Sequence, residues 1–378
     1  GPSCLCELDQ FREDFRLSWA TAVLVDAMKR GSWDPDDTKL AVASAHCEQH
    51  LHERCSITCT SPLTSRLARA KWLMDSLQTA VPDLQLGLLL QNWWMLKPVD
   101  GAVGKGIRII GGLEQDEFSW PENLDFSGRA VDGYVAQKYV ESLHLLEWGV
   151  LQCAAEACGV QGDTAQAKGI EPHARFKYNI RHWVLVRWTR EADVWFYEHG
   201  YIGLCSRPFA ADLCQLNAHV TNLADHARGA RPFQRLWHTA ALAQYLADEA
   251  GYDVWGQRLL PAMKSAVLIS VSAANPRSAQ GQEGGVEGGR QPWKRFGFDF
   301  TVDSELNVWL IEANHKPGMR APKGTLGAAK RQLMEVFYED ERSLCDDSWR
   351  HVDEGVKQVG GFSWLGRTTE SCASETNI

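Results

Sequence analysis

No apolar run in the chain approaches the roughly 18 residues of a membrane-crossing helix; the longest, such as residues 84–90, are short and broken by polar side chains. A membrane partner is therefore not expected. Positive charge is also short: 39 Lys and Arg stand against 48 Asp and Glu, a net charge of −9. Nucleic-acid binding needs a positive surface to neutralise phosphates, so no nucleic acid is expected as a partner, and a local basic face stays open. Paired C-x2-C units are missing. Cys4/Cys6, Cys55/Cys59, Cys153/Cys158 and Cys205/Cys214 do not have zinc-site spacing, and the His residues near them are irregular. Eleven cysteines, an odd number in a chain of 378 residues, read as reduced thiols of an intracellular protein. There is no internal repeat and no Walker A spacing. The amino end, Gly1-Pro-Ser-Cys-Leu-Cys6, has neither a starting Met nor a basic-then-apolar leader, so a fragment or trimmed chain is expected.

What is present is enough for a substantial core. With 44% apolar residues over 378, the length favours two or three lobes. In residues 8–30, Phe11, Phe15, Trp19, Val23 and Ala27 recur at steps of four, the stripe of a packed amphipathic helix. Asp34-Pro-Asp-Asp37 offers capping residues before a helix at 40–47, and Ser61-Pro-Leu-Thr64 opens a segment reaching residue 77. Beyond Gln91 the texture turns to strands, at 93–99, 107–110, 135–140, 180–188 and 194–201, then a hairpin over 296–314. Helical patterns occupy 233–250, 258–273 and 325–338. The class is α+β, with mixed, largely antiparallel sheets and flanking helices. Residues 275–292 are too polar and Gly-rich to pack and read as a mobile insertion; the tail after 368 reads as loose.

Four constellations can carry chemistry. In the hairpin, Phe296, Phe298 and Phe300 point one way and Asp299 the other, while Glu312 and Asn314 share a face of the next strand. Two carboxylates and an amide oxygen are an appropriate partial shell for Mg²⁺, which completes an octahedron with water and phosphate oxygens. An ordinary hairpin with charges facing water is the bland alternative, but Glu312 follows the apolar run Val308-Trp-Leu-Ile311, where an unpaired charge is costly to bury. Upstream, Lys97 ends a strand and Gly104-Lys105-Gly106 forms a small turn able to cover phosphates, or merely a hairpin turn with a solvated lysine. The strand 134–146 leaves its alternation around Glu141 and Ser142, where backbone groups can hold a purine edge with Lys138 near the ring and Leu143 or Leu145 closing an apolar slot; a plain edge strand fits equally. Finally, Lys177, Asn179 and Arg181 share one strand face, with Ile180, His182 and Val184 on the other, so that cations can line an anionic cleft or scatter on an exposed sheet. Asn222 either closes the site or caps a helix. Arg66, Arg69 and Lys71 form a solvated helix face or a landing surface for an acidic partner, extended by Arg175 and Lys177 into a basic track.

In order, Trp94-Met-Leu-Lys97-Pro, Gly104-Lys-Gly-Ile107, Gln137-Lys-Tyr-Val-Glu141, Lys177-Tyr-Asn-Ile-Arg181, His219-Val-Thr-Asn222, Gly297-Phe-Asp299-Phe and Leu310-Ile-Glu312-Ala-Asn314 resemble the tubulin-tyrosine ligase-like family, over roughly residues 90–345. Val194-Trp-Phe-Tyr197, the segment 307–312 and Met319-Arg-Ala-Pro322 look most like its glycine-adding branch. The resemblance implies an ATP-grasp-type fold, with a helical region 1–90, a central domain 91–146, a C-terminal catalytic domain 147–345 with nucleotide between the latter two, and an extension 346–378. It implies ATP and Mg²⁺ as cofactors, an acidic tubulin tail and a free amino acid as partners, a monomer, and a place in the cytoplasm and cytoskeleton or in a cilium or flagellum. Lys97, Lys177 and Arg181 are the implied catalytic cations. Lys97, Gly104, Lys105, Gly106, Gln137, Lys138, Tyr139, Val140, Lys177, Asn179 and Asn222 are implied around the nucleotide, and Asp299, Glu312 and Asn314 on the metal. The implied activity is amide formation on glutamate side chains through an acyl phosphate, with glycine favoured; glutamate or tyrosine addition and a tubulin-binding pseudoenzyme are the alternatives. Two positions depart from the family pattern: Asn179 stands where Asp is usual and Gly203 where Arg is usual.

Overall fold

The computed structural model describes residues 2–31, 38–59, 65–81, 91–99, 104–112, 133–159, 170–188, 192–221, 236–274, 293–319, 328–353, 355 and 357–368. The expected insertion 275–292, the tail after 368 and Asn222 lie outside them. The chain divides into two compact units, Gly1–Ser142 with Asp212–Leu216, and Leu143–Ala211 with Asn217–Ile378.

The first unit opens with three helices, α1 (Pro2–Arg30), α2 (Thr38–Cys55) and α3 (Arg66–Ala80). Trp19, Val23 and Ala27 of the α1 stripe meet Leu40, Ala43, Cys47 and Leu51 of α2 and Ala70, Leu73 and Leu77 of α3. Spacings of three and four keep each set on one helix face, and every fully buried leucine adds about 2 kcal/mol. Ser65 caps α3, its hydroxyl accepting from the Ala68 N–H at 3.1 Å. Phe11 and Phe15 pack instead on a small antiparallel sheet of β1 (Trp94–Pro98), β2 (Arg108–Ile110) and β3 (Tyr134–Lys138), ordered β2-β1-β3. The turn before β2 needs its glycines: Gly104 and Gly106 have φ of +72° and +76°, and a Cβ on Gly106 would stand 2.8 Å from Pro98 Cγ.

The second unit is built on an eight-stranded antiparallel sheet. A short ladder of β4 (Leu146–Glu147) and β5 (Arg175–Phe176) and a helix, α4 (Trp148–Ala157), precede it. The sheet strands are β6 (Tyr178–Trp188), β7 (Ala192–Tyr197), β8 (Tyr201–Leu204), β9 (Leu236–His238), β10 (Trp293–Val302), β11 (Val308–Asn314), β12 (Gln358–Val359) and β13 (Phe362–Thr368). They run in the order β11-β10-β6-β7-β13-β12, with β8 paired to the first half of β6 and to β9. Besides α4, the described helices here are α5 (Leu216–His219), α6 (Thr239–Ala250), α7 (Leu260–Ala273) and α8 (Ala328–Asp353), with a π-helical turn at Trp255–Leu259 before α7. One sheet face, carrying Ile180, Val184, Phe298 and Phe300, packs on α4, α6 and α7; the other, carrying Trp183, Leu185, Trp195 and Tyr197, packs on Leu333, Met334 and Phe337 of α8.

Four expectations change. The helix anticipated over 233–250 begins only at Thr239, because residues 236–238 pair with β8 as β9. The strand anticipated at 194–201 is two strands, because the chain turns at 198–200 where a Cβ on Gly200 would lie 2.4 Å from the Arg181 carbonyl oxygen. The helix anticipated to end at 338 continues to Asp353. The segment after it returns to the sheet as β12 and β13, with Phe362 fully buried beside Tyr197 and Phe337.

Candidate active site

The strand β6 sorts its side chains by parity. Ile180, His182 and Val184 enter the larger core, while Asn179, Arg181 and Trp183 face the side of α8. The α8 side is apolar at Trp183 and becomes polar at Arg181. There one cross-strand row runs His238, Tyr201, Arg181, Asp299, Glu312 over β9, β8, β6, β10 and β11. Glu312 joins this row because of a register shift. Asp299 pairs with Glu312 but Phe300 pairs with Leu310, so Ile311 is an extra residue. The bulge lets Leu310 pack with the core and turns Glu312, two residues later, to the opposite face.

Contacts within the row are direct. The Arg181 guanidinium donates through Nε and Nη2 to the two oxygens of Asp299, a planar two-pronged ion pair. Asn314 Nδ2 donates to Glu312 Oε1 at 2.8 Å and to Asp299 Oδ2 at 3.3 Å. Gly297 makes room: a Cβ there would stand 3.0 Å from Arg181 Nη1 and 2.8 Å from Pro317 Cβ. Burial pushes the Asp299 carboxyl up to about 6, and Glu312 pushes the same way, against the Arg181 contact that favours its charge. At neutral pH Asp299 is ionised and paired with Arg181, with Glu312 its cross-strand neighbour. Burial also raises the Tyr201 phenol.

Lys330, at the start of α8, is the residue that sequence reading missed. It is buried, donates to the Gly318 carbonyl at 3.1 Å and lies 4.8 Å from the centroid of the Tyr201 ring. A signal was available: Lys330 stands on the same helical stripe as Leu333, Met334 and Phe337, where a solvated lysine does not belong.

The remaining anticipated residues fall as follows. Lys177 precedes β6 and is buried rather than displayed on an open track. Asn179 and Gly203, the two departures from the family pattern, are direct cross-strand partners in the β6–β8 ladder. The Asn179 Oδ1 atom is buried and accepts no hydrogen bond from the described residues, and a Cβ on Gly203 would meet nothing nearer than Leu236 Cδ2 at 3.7 Å. In the first unit, Lys97 lies on β1 opposite Val135, and Lys105 projects from the turn between Gly104 and Gly106. Gln137 pairs with Met95, and Tyr139 and Val140 are buried just past β3. Lys138 is a clamp: its ammonium donates to the Trp93 carbonyl at 2.9 Å and the Tyr139 carbonyl at 3.5 Å and pairs with Glu141. Glu141 also accepts the backbone N–H of Gln91 and of Trp93, fixing the entry to β1. Of the residues anticipated for a basic track, Lys71 is exposed. Arg69 is held by both oxygens of Glu48, Arg175 lies 3.7 Å from Glu147, and the Arg66 side chain lies outside the described residues.

Among the described residues no group of three or more His, Cys, Asp or Glu side chains could hold a metal ion, so a metal here would rely on the mixed set of Asp299, Glu312 and Asn314. No helix among them is long and apolar enough to cross a membrane.

Residues 39–339 match the family described as the tubulin-tyrosine ligase family. Among curated proteins, the chain is similar to tubulin glycylase 3A of Drosophila melanogaster, 24% identical over 70% of this chain and 23% of that protein. It is similar also to the protein monoglycylase TTLL8 of Homo sapiens, 26% identical over 74% of this chain and 28% of the relative. The tubulin monoglycylase TTLL3 of Danio rerio is 22% identical over 78% of this chain and 34% of its own length. The chain thus spans 23–34% of the length of these relatives. With the family match covering most of its length and the seven motif blocks in order, the chain belongs to the tubulin-tyrosine ligase family.

Proposed function

We propose that the chain is an ATP- and Mg²⁺-dependent ligase of the ATP-grasp type that joins an amino acid, glycine foremost, to glutamate side chains of a tubulin tail. The observation that carries this reading is the row Tyr201–Arg181–Asp299–Glu312, closed by Asn314, in a chain of this family. Asp299, Glu312 and Asn314 offer hard oxygen donors suited to Mg²⁺, which would neutralise phosphate charge there. Lys97, Lys105 with Gly104 and Gly106, Gln137, Lys138, Tyr139, Val140, Lys177, Asn179 and Asn222 are the residues proposed for ATP. In the reaction, an oxygen of the acceptor glutamate takes the γ-phosphoryl group and ADP leaves. The amine of the amino acid then attacks the acyl phosphate carbon, loses a proton and displaces phosphate. Lys97, Lys177 and Arg181 would stabilise the charge moving through the phosphoryl group, and strand-mounted groups hold the partners in line. Tubulin as partner and a place on the cytoskeleton, including cilia, follow from the same reading.

Incubating the purified chain with ATP, Mg²⁺, tubulin and labelled glycine, glutamate or tyrosine tests it. Incorporation of one of them into tail glutamates is expected; incorporation of none, with ATP turnover absent, would defeat it.

A second reading has its own observation. Asn179 and Gly203 oppose each other across the ladder, and the Asn179 oxygen has no donor among the described residues, as expected of a site that keeps its scaffold but not its amino-acid contacts. The chain would then bind tubulin and nucleotide without ligating. The double variant Asn179→Asp, Gly203→Arg separates the two, because position 203 has space for a side chain. Transfer that begins only in the double variant supports the binding protein, and robust transfer by the unaltered chain removes it.

A further inference from the structure

Lys330 occupies the apolar stripe of α8 and is 6% exposed. Buried lysines are rare unless their charge is answered, and an ammonium has three N–H donors to place. Among the described residues, the Gly318 carbonyl is its hydrogen-bond acceptor, the Tyr201 ring face its second contact, and no carboxylate forms an ion pair with it. Both contacts lead to the same place. Tyr201 is the cross-strand partner of Arg181, and Pro317, adjacent to Gly318, stands against Gly297 beside the Arg181 guanidinium. Lys330 therefore closes a ring of contacts that passes through Arg181, Asp299, Asn314, the turn at 315–318 and Tyr201. Burial, and then the charge of Arg181, push the Lys330 ammonium down to about 8, with Asp299 opposing. The ammonium thus has one hydrogen-bond acceptor and a ring face among the described residues, and N–H capacity left for an oxyanion beside the Arg181–Asp299 pair.

We propose that Lys330 is an oxyanion-binding residue of this site, its ammonium taking a carboxylate or phosphate oxygen of the substrate alongside Arg181. The identity of that oxyanion rests on the ligase reading above; its binding does not. A phosphate source and a carboxylate source differ in which probe they answer to. Inorganic pyrophosphate and Mg·ATP report the first, and free glycine and glutamate the second.

The test is a thermal-shift titration of each probe against the unaltered chain, Lys330→Met and Lys330→Arg, with Lys330→Gln as the replacement should Met not fold. At least one probe is expected to stabilise the unaltered chain. Its apparent Kd is expected to rise about tenfold or more in the Met or Gln variant, the size of one charge-assisted contact, and to recover in the Arg variant, which keeps the charge. The proposal is overturned if the unaltered chain responds to no probe, or if the neutral variants melt lower yet bind every probe with unchanged Kd, as a mere clip for the 315–318 turn would do. Labelled incorporation is read in parallel. Loss of anion binding in the neutral variants, in a chain that ligates nothing, would end the ligase reading and leave Lys330 in this role.

Discussion

His182 lies fully buried with its ring stacked between Phe196 and Trp255, and its Nδ1–H donates to the Tyr197 carbonyl at 2.9 Å. Burial pushes its pKa down to about 4, with His199 and His238 acting the same way and Glu198 against. The unfolded chain then binds this proton more readily than the folded one. Stability is fully present above about pH 6.5 and falls as the pH drops toward 4. Urea unfolding at pH 7 and at pH 4.5 should show the unaltered chain losing about 2–3 kcal/mol more than His182→Gln; equal losses would contradict this. Asp303 makes a complementary case without titration. Its Oδ1 accepts the backbone N–H groups of Glu305 and Asn307, and its Oδ2 accepts Asn307 Nδ2 and Trp309 Nε1. Asp303→Ala strands these donors in the turn between β10 and β11 and should cost about 2–4 kcal/mol in denaturant unfolding. Because the same turn sets the register that brings Glu312 to Asp299, amino-acid transfer should fall with it.

At the scale of elements, the parts legible in the sequence were those with an unbroken period. The α1 stripe, the parity of β6 and the alternation of Phe296, Phe298 and Phe300 against Asp299 each follow from one repeating rule. Glu312 and Asn314 were also placed on the face of Asp299, although the reason, an extra residue at Ile311, shows only in the register. Where the period breaks, the reading failed. β13 carries a register shift between Trp364 and Gly366, and Gly366 has φ of +149°, so its alternation is not visible in Phe362-Ser-Trp-Leu-Gly-Arg-Thr368. What holds β12 and β13 in place is a long-range contact that no local pattern reveals. Asp340 of α8 accepts the Tyr197 hydroxyl at 3.1 Å and the Gly361 N–H at 3.0 Å, and a Cβ on Gly361 would stand 2.6 Å from the Tyr197 ring. Gly361→Ala should therefore lower the Tm by several degrees, about the effect of 1–3 kcal/mol of overpacking, and an unchanged melting curve would show that this edge carries no stability. Lys330 escaped notice for a related reason: its role depends on the sheet that its helix meets, not on its neighbours in sequence.

Across the whole molecule, the family match covers most of the chain, while the chain covers 23–34% of the length of the glycylase relatives named above. The net charge of −9 adds a constraint, since an acidic tail is repelled at long range unless cations are concentrated where it lands. Arg69 is paired with Glu48, so under the proposed function raising ionic strength should speed, rather than slow, association with an acidic tubulin tail. Mg·ATP at about a hundredfold over its Kd should stabilise the chain by about 3 kcal/mol, which calorimetry reads directly. The central claim is that the cluster of Arg181, Asp299, Glu312 and Asn314 is the catalytic centre of an amide-forming ligase. Incorporation of labelled amino acid into tubulin by the unaltered chain and by Glu312→Gln, with folding verified by Tm, tests it most directly. The account predicts transfer by the unaltered chain and a loss of about a hundredfold or more in the variant, the scale of a removed transition-state charge contact. Equal transfer by the two proteins would contradict it.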